Sequence, residues 1–289
     1  MSISPWIKAA RIKTLVASIV PVLSAVAILP QSNTFYLYIF LLTIFAALII
    51  QIVTNYINDL YDFLKGADKN RIGPKRMLQS GLISEKQIKK AIILLTTIGI
   101  IAGIPLAVKG GWPIVAIGLS SFLFAYLYTA GPFALAYNGL SDFFVFIYFG
   151  IIAVSGSYYL QTTTLEVSCL YLGSSVGLKN VLLLIVNNLR DYNNDLISNK
   201  KTMVARYGLR FGKIYSFVVV CLSYVSIFLL SIELQNYKTF YFMLFSIPLS
   251  VNILRDIFFA KPVKLNSTLG KVSALLVLDY LLLLISQLL

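Results

Sequence analysis

Histidine is absent from this 289-residue chain, cysteine occurs only twice, and charged residues make up only 12% of it. Without histidine, the chain cannot hold a haem or a zinc ion through imidazole, and it has no imidazole general base. Cys169 and Cys221 both lie within apolar segments, so they predict neither a disulfide framework nor an iron–sulfur site. Any chemistry must therefore rest on carboxylates, amides, tyrosines, lysines and arginines.

Charge is scarce because long apolar runs dominate the chain. Hydrophobic residues make up 58% of it and the mean hydropathy is +0.85. The charged share is about half that of an ordinary soluble domain. The runs are about 20 residues long and do not alternate strictly, which favours membrane helices over a β-barrel. We predict an all-α integral membrane bundle of about nine transmembrane helices, forming a single domain over residues 1–289.

The first apolar run follows Lys8, Arg11 and Lys13, a pattern that is also typical of a signal peptide. The run has no convincing small-residue cleavage site and further runs follow, so we interpret it as the first membrane helix. The predicted spans are residues 14–30, 36–57, 88–108, 112–130, 140–160, 167–188, 213–232, 238–259 and 270–289.

The basic residues predict the orientation of these spans. If the N-terminus is cytoplasmic, 21 of the 24 lysines and arginines lie on the inner side, in segments 1–13, 58–90, 131–139, 189–213 and 255–271. This bias predicts a multi-pass protein of the cytoplasmic (inner) membrane with its N-terminus inside. The net charge of +13 is then a topology signal rather than a sign of nucleic-acid binding, because the basic residues flank membrane helices.

The first acidic cluster follows the second apolar run and is predicted to lie in an inner loop. Asp59 and Asp62 are three residues apart, so their carboxylates share one helical face, and Asn58 lies beside them. Asp68 comes after Gly66, which can end the helix and turn the chain back toward the other acids.

The second acidic cluster follows the sixth apolar run and has the same design. Asp191 and Asp195 are four residues apart on one face, and Asn187 and Asn188 lie one turn earlier. Both clusters therefore emerge on the inner side of the membrane. Each cluster alone could be a set of solvated loop charges or helix caps. Two similar clusters on the same side of the membrane favour one shared site instead.

Carboxylates at the mouth of a helix bundle repel one another unless a cation joins them. Mg²⁺ prefers oxygen ligands and usually keeps phosphate oxygens in its shell, and arginine and lysine cover the remaining phosphate oxygens. Basic residues are frequent near both clusters: Lys65, Lys69, Arg71, Lys75 and Arg76 near the first, and Arg190, Lys200, Lys201 and Arg206 near the second. This combination predicts a site for a magnesium–diphosphate substrate.

Two motifs carry a resemblance to a known family. NDLYDFLKGADKNRIGPKR at residues 58–76 and NNLRDYNNDLISNKKT at residues 187–202 resemble the two Asp-rich motifs of the UbiA superfamily of intramembrane prenyltransferases. The Gly-Pro-Lys-Arg end of the first motif is similar to the branch that prenylates dihydroxynaphthoate in menaquinone synthesis. WIKAARIKTL at residues 6–15 and YTAGPFALAYNGLSDFFVFIYFG at residues 128–150 are also similar to that branch. Asn199 and Met203 depart from its pattern and leave the acceptor less well defined.

The resemblance implies roles for the singled-out residues. Two Mg²⁺ ions would be held by Asp59, Asp62, Asp68, Asp191 and Asp195, with Asn58 and Asn187 as added ligands; Asp59, Asp62, Asp191 and Asp195 would be the catalytic acids. The same resemblance places a polyprenyl diphosphate between the clusters, with its chain among apolar and aromatic helix faces open to lipid. The implied substrate-binding residues are Asn58, Asp68, Arg71, Arg76, Asn187, Arg190, Lys201, Arg206 and Tyr128. Tyr126, Tyr128 and Tyr148 are candidates for stabilising an allylic cation.

The implied reaction transfers the polyprenyl group to 1,4-dihydroxy-2-naphthoate with loss of its carboxylate, giving demethylmenaquinone. Other aromatic acceptors stay open: hydroxybenzoate, homogentisate, haem or chlorophyllide. A membrane transporter is a distant alternative, since transporters also contain buried charges and broken helices. The sequence shows no internal repeat and confines its paired acids to one side, which argues against a transporter.

Lys179 lies within the sixth span, spaced by multiples of four from Asn187 and Asp191. A charge inside a membrane span is a functional hypothesis by default. The alternative is that Lys179 pairs with a buried acid, for which Asp256 and Asp279 are candidates.

Overall fold

The computed structural model describes residues 4–32, 34–67 and 73–289, without the side chain of Lys13. Within these ranges the regular structure is helical throughout. The helices are α1 Ser4–Ala10, α2 Ile12–Ala27, α3 Leu37–Leu64, α4 Glu85–Leu127, α5 Ser141–Thr162, α6 Val167–Ile197, α7 Met203–Glu233, α8 Tyr237–Phe259 and α9 Pro262–Leu288. Seven of them, α3 to α9, are long and apolar enough to cross a membrane, and α1 with α2 forms a bent pair that passes the same test.

Helix α4 contains two of the predicted spans. Its 43 residues would extend about 65 Å if straight, roughly twice the thickness of a bilayer core. Gly111 interrupts it with a φ of 67° and a ψ of −157°. A Cβ added at Gly99 would lie 2.7 Å from the ring of Phe122, 23 residues later, so the two arms fold back on each other. Counting this hairpin as two spans confirms the predicted nine.

Helices α3 and α6 extend beyond the predicted spans, which ended at residues 57 and 188. They run on to Leu64 and Ile197, so the acidic motifs lie on the final turns of helices. The prediction that Asp59, Asp62, Asp191 and Asp195 lie in loops was wrong, and Asp68 lies outside the described residues. Hydropathy marks the end of an apolar run, whereas backbone hydrogen bonding continues as long as the residues allow it.

Helix α6 is the centre of the bundle. In its most apolar stretch 72% of the residues are buried, against 17 to 39% in the other long helices. Its backbone meets that of α5 at three glycines. A Cβ added at Gly150 would lie 2.6 Å from the Cα of Gly177 and would overlap the carbonyl oxygen of Gly173. Close contact between α5 and α6 therefore depends on small residues, as is common between membrane helices.

Gly150→Ala is expected to destabilise the bundle by about 1–3 kcal/mol, because the new methyl group meets rigid backbone on α6. Thermal unfolding in detergent measures the effect. Gly270→Ala on α9 is the matched control, since a Cβ there meets nothing within 4 Å. Equal midpoints for the two variants would contradict the close packing.

Lys179 forms a buried ion pair with Asp279 of α9; the two residues are 2% and 6% exposed. The Nζ of Lys179 also lies 3.2 Å from the Oγ of Ser175 and 5.4 Å from the ring centre of Tyr224. The other candidate, Asp256, instead pairs with two lysines of α9. Lys179 lies 12 residues before Asp191, about 18 Å along α6, so this pair joins helices away from the acidic motifs.

Candidate active site

The first acidic pair lies at the end of α3. Asp59 and Asp62 are each 1% exposed. The guanidinium of Arg76 contacts both: its Nε is 3.8 Å from Asp59 Oδ1 and its Nη2 is 3.7 Å from Asp62 Oδ2. The Nζ of Lys200 lies 3.5 Å from Asp62 Oδ2, and the hydroxyl of Tyr137 donates to Asp62 Oδ1 at 2.9 Å. Three separate chain segments thus converge on this pair.

Lys65 adds a further cation beside Asp62. Its Nζ donates to the carbonyl oxygen of Thr129 at 2.8 Å and lies 4.0 Å from the centre of the Tyr137 ring. Burial lowers the pKa of Lys65, the negative charge of Asp62 opposes this, and the positive charge of Lys200 lowers it further. Three basic side chains around two carboxylates leave a local surplus of positive charge, which suits an incoming anion.

The second acidic pair lies at the end of α6, where Arg190 holds Asp191. The Nε of Arg190 donates to Asp191 Oδ1 at 2.8 Å, and Nη2 donates to Oδ2 at 2.6 Å. The same guanidinium contacts Asn187 Oδ1 at 2.5 Å and Asn266 Oδ1 of α9 at 3.0 Å. Arg190 is 2% exposed, so its described contacts fix Asp191 and Asn187. A direct contact between Arg190 and substrate stays a prediction.

The two acidic motifs meet each other. The side chain of Asn194 donates to the carbonyl oxygen of Ala67 at 2.7 Å, joining α6 to the end of the first motif. Lys200, near the end of the second motif, also contacts the first motif, since its Nζ lies 3.5 Å from Asp62 Oδ2. Asp195 is 5% exposed. The structure therefore brings the two motifs into contact with each other.

Four other predicted residues lie at the edge of this site or outside the described ranges. Lys201 and Arg206 are exposed. The guanidinium of Arg206 donates to the carbonyl oxygens of Asn138 and Lys201 at 2.8 and 3.1 Å, which ties together the segments that follow α4 and α6. Asp68 and Arg71 lie outside the described residues.

The side chains present fit Mg²⁺. Both pairs offer carboxylate oxygens, and Asn58 Oδ1 is buried without a hydrogen-bond partner among the described residues. In residues 4–32, 34–67 and 73–289, no three Cys, Asp or Glu side chains already form a cluster that could hold a metal ion. Mg²⁺ is usually held by one or two carboxylates together with substrate phosphates, and Asp59, Asp62, Asp191 and Asp195 supply carboxylates of this kind.

An apolar cavity of about 390 Å³ lies between α2, α3, both arms of α4, and α5. Tyr128 lines the cavity where it approaches the acids, and Leu106 and Ile114 line it toward the turn of α4. The ring centres of Phe124 and Tyr148, both in its wall, are 5.0 Å apart. The volume is within the range typical of ligand sites. An apolar chain can therefore lie within the bundle among these walls.

Of the three tyrosines singled out for a cation, two line this cavity. Tyr128 and Tyr148 belong to its wall. Tyr126 does not belong to the wall; it is 43% exposed and its hydroxyl lies 3.2 Å from that of Tyr61. The contacts that sequence reasoning missed are those made by Tyr137 and Asn266, which reach the acidic pairs from distant segments.

Comparison with known proteins gives concordant results. The model of the UbiA prenyltransferase family matches residues 18–268. The 1,4-dihydroxy-2-naphthoate octaprenyltransferase of Escherichia coli K12 is 33% identical over 210 residues, 70% of this chain and 68% of that protein. The protein of the same name from Mycobacterium leprae is 31% identical over 207 residues, 72% of this chain and 70% of that protein.

Two solved structures show the same fold. The apo UbiA homologue of Aeropyrum pernix K1 has a TM-score of 0.75 at 12% identity and covers 94% of this chain and 97% of its own. A UbiA homologue of Archaeoglobus fulgidus, bound to GPP and Mg²⁺, has a TM-score of 0.64 at 13% identity and covers 96% of this chain and 99% of its own. The family match spans more than half of the chain. The chain therefore belongs to the UbiA prenyltransferase family, as a multi-pass integral membrane transferase.

Proposed function

We propose that this enzyme transfers a polyprenyl group from polyprenyl diphosphate to 1,4-dihydroxy-2-naphthoate and releases CO₂, giving demethylmenaquinol. The observation that carries the proposal is that one bundle holds two buried acidic pairs, at the ends of α3 and α6, and an apolar cavity between α2, α3, α4 and α5. The polar end suits a diphosphate and the cavity suits its hydrocarbon chain. The names of the Escherichia coli and Mycobacterium leprae relatives support the choice of acceptor.

The acidic pairs would hold two Mg²⁺ ions through Asp59, Asp62, Asp191 and Asp195. Asp68, Asn58 and Asn187 are proposed as further oxygen ligands. Bound Mg²⁺ supplies neutralising charge to a leaving diphosphate. Lys65, Arg76 and Lys200, which lie around the first pair, would donate to the diphosphate oxygens not taken by metal.

Transfer begins as the allylic C–O bond breaks and its electron pair leaves with the diphosphate. Aromatic faces near the mouth of the cavity, including those of Tyr128 and Tyr148, stabilise the positive charge on the allylic carbon. The apolar wall keeps water from capturing that carbon. The ring carbon that bears the carboxylate then bonds to the allylic carbon, and the carboxylate leaves as CO₂, so that the electron pair of the broken C–C bond returns to the ring.

We propose the cytoplasmic side of the inner membrane for this reaction. With the predicted topology, the ends of α3 and α6 that carry the acids share a side with 21 of the 24 basic residues of the sequence, which supports this proposal. Positive residues concentrate on the cytoplasmic side of membrane proteins. Both substrates would then be taken up from the cytoplasmic leaflet or the cytosol.

An acceptor panel tests the proposal. We expect purified enzyme with Mg²⁺ and polyprenyl diphosphate to prenylate 1,4-dihydroxy-2-naphthoate, with release of one diphosphate for each product molecule seen by mass spectrometry. Reactions without Mg²⁺ or without acceptor are the controls. A prenylated product from 4-hydroxybenzoate or homogentisate, with none from the naphthoate, would contradict the assigned acceptor.

A further inference from the structure

Gln51 is a polar residue in the middle of an apolar stretch of α3. It precedes Asn55 by four residues and Asp59 by eight, so the three side chains share one face of the helix. The separation from Asp59 is about 12 Å along the axis. Gln51 is 7% exposed and lines the cavity between α2, α3, α4 and α5. Its amide therefore faces the space beyond the acidic pairs.

The Oε1 of Gln51 is buried and has no hydrogen-bond partner among the described residues. Two threonines of the same wall differ in this respect. The hydroxyls of Thr43 and Thr54 donate to the carbonyl oxygens of Ile39 and Ile50, at 2.8 and 2.7 Å. An unsatisfied amide oxygen in an apolar environment costs free energy. Gln51 thus differs from these two threonines of α3, and a ligand can supply the missing donor.

We propose that Gln51 accepts a hydrogen bond from a ring hydroxyl of the aromatic acceptor, an inference that rests on the proposed function. The prenyl chain of the donor is hydrocarbon and has no N–H or O–H group that could donate a hydrogen bond. The diphosphate of the donor lies with the acids, about two turns of α3 away. The hydroxylated acceptor is then the substrate that can satisfy Oε1.

This contact makes Gln51 a specificity-determining residue. A wall that hydrogen-bonds a substrate hydroxyl discriminates against an analogue without it, because the buried amide is then left unpaired. An acceptor ring held there also lies in the same cavity as Phe124 and Tyr148, whose faces can pack against it. Acceptor choice would therefore depend on one amide in addition to ring shape.

Gln51→Leu tests the proposal, with Thr54→Val as its matched control. Both variants remove a polar group from the same helix and cavity, but the hydroxyl of Thr54 is already satisfied by its own backbone. For Gln51→Leu we expect a roughly tenfold higher KM for the acceptor, corresponding to one lost hydrogen bond, and an unchanged KM for the donor. Thr54→Val should give no selective rise in the acceptor KM, because it leaves no new unpaired polar group in the wall.

Competitive inhibitors identify the hydroxyl concerned. The inhibition constants of 1-hydroxy-2-naphthoate and 4-hydroxy-2-naphthoate are measured against the acceptor in each variant. In wild type we expect the analogue that lacks the recognised hydroxyl to bind about tenfold more weakly than the other, and in Gln51→Leu this difference should vanish. Gln51→Met, which keeps the length of the side chain, replaces Gln51→Leu if the latter does not fold.

An unchanged acceptor KM in folded Gln51→Leu, or an equal rise for donor and acceptor, would overturn the role of Gln51. Failure of the proposed function gives a different result, since wild type would then use another acceptor of the panel. In that case the KM of that acceptor is measured for the same variants, and so are the inhibition constants of analogues that each lack one of its hydroxyls. A selective rise in acceptor KM there supports the role of Gln51, and its absence refutes it.

Discussion

Asp62→Asn is expected to lower the rate of prenyl transfer by roughly 10²–10³-fold, the scale seen when one group that stabilises transition-state charge is removed. Asp62 accepts a hydrogen bond from the hydroxyl of Tyr137 and lies beside the cations of Arg76 and Lys200. Its carboxylate therefore holds these three side chains around the first acidic pair. The amide keeps the size of the side chain but removes its negative charge and one oxygen. Turnover at saturating donor and acceptor measures the loss.

A second readout separates this effect from general damage. Mg²⁺ binding in the presence of diphosphate, followed by calorimetry, should weaken in Asp62→Asn and in Asp191→Asn. Asp256→Asn is the control, because Asp256 is also buried between cations but pairs with Lys264 and Lys271 at the join of α8 and α9. We expect that variant to keep its turnover. Near-normal turnover in both Asp62→Asn and Asp191→Asn would refute the two-metal site.

Lys179→Met is expected to destabilise the enzyme by about 3–5 kcal/mol, the cost of leaving one member of a buried ion pair without its partner. Asp279 would then be buried near the centre of the bundle without its cation. Thermal unfolding in detergent measures the loss.

The double variant Lys179→Met, Asp279→Leu is the decisive comparison. A buried ion pair replaced by apolar residues of similar size is often neutral or even stabilising, so we expect the double variant to recover most of the lost stability. Turnover of the double variant should stay close to that of wild type if the pair serves only to join α6 to α9. A double variant no more stable than Lys179→Met would contradict this account.

Much of the fold was predictable because nine apolar runs and their flanking charges reflect the bilayer. The hairpin within α4 fitted the same pattern, since Gly110, Gly111 and Pro113 separate two runs of spanning length. The ends of α3 and α6 were predicted less well. A polar motif can continue a helix beyond the membrane, and hydropathy does not register that continuation.

The residue types at the site were predictable, but their partners were not. Tyr137 and Lys200 reach Asp62 from 75 and 138 residues away, a proximity that only the folded chain creates. Arg190 and Asp191 are sequence neighbours, which do not normally face each other on a helix. The long guanidinium nevertheless turns back onto Asp191. The sequence also shows Gln51 without showing whether its amide is paired.

The hairpin of α4 offers positions at which the size of the cavity can change during evolution. Its most apolar stretch is the least buried among the long helices, at 17%, yet both of its arms form wall of the cavity. Gly103 and Gly118 lie in that wall, and a Cβ at either position meets nothing within 4 Å. Larger residues there would shorten or narrow the cavity without disturbing α3 or α6, which carry the acids. Natural selection can therefore retune the length of the transferred chain on α4 while the chemistry is inherited intact.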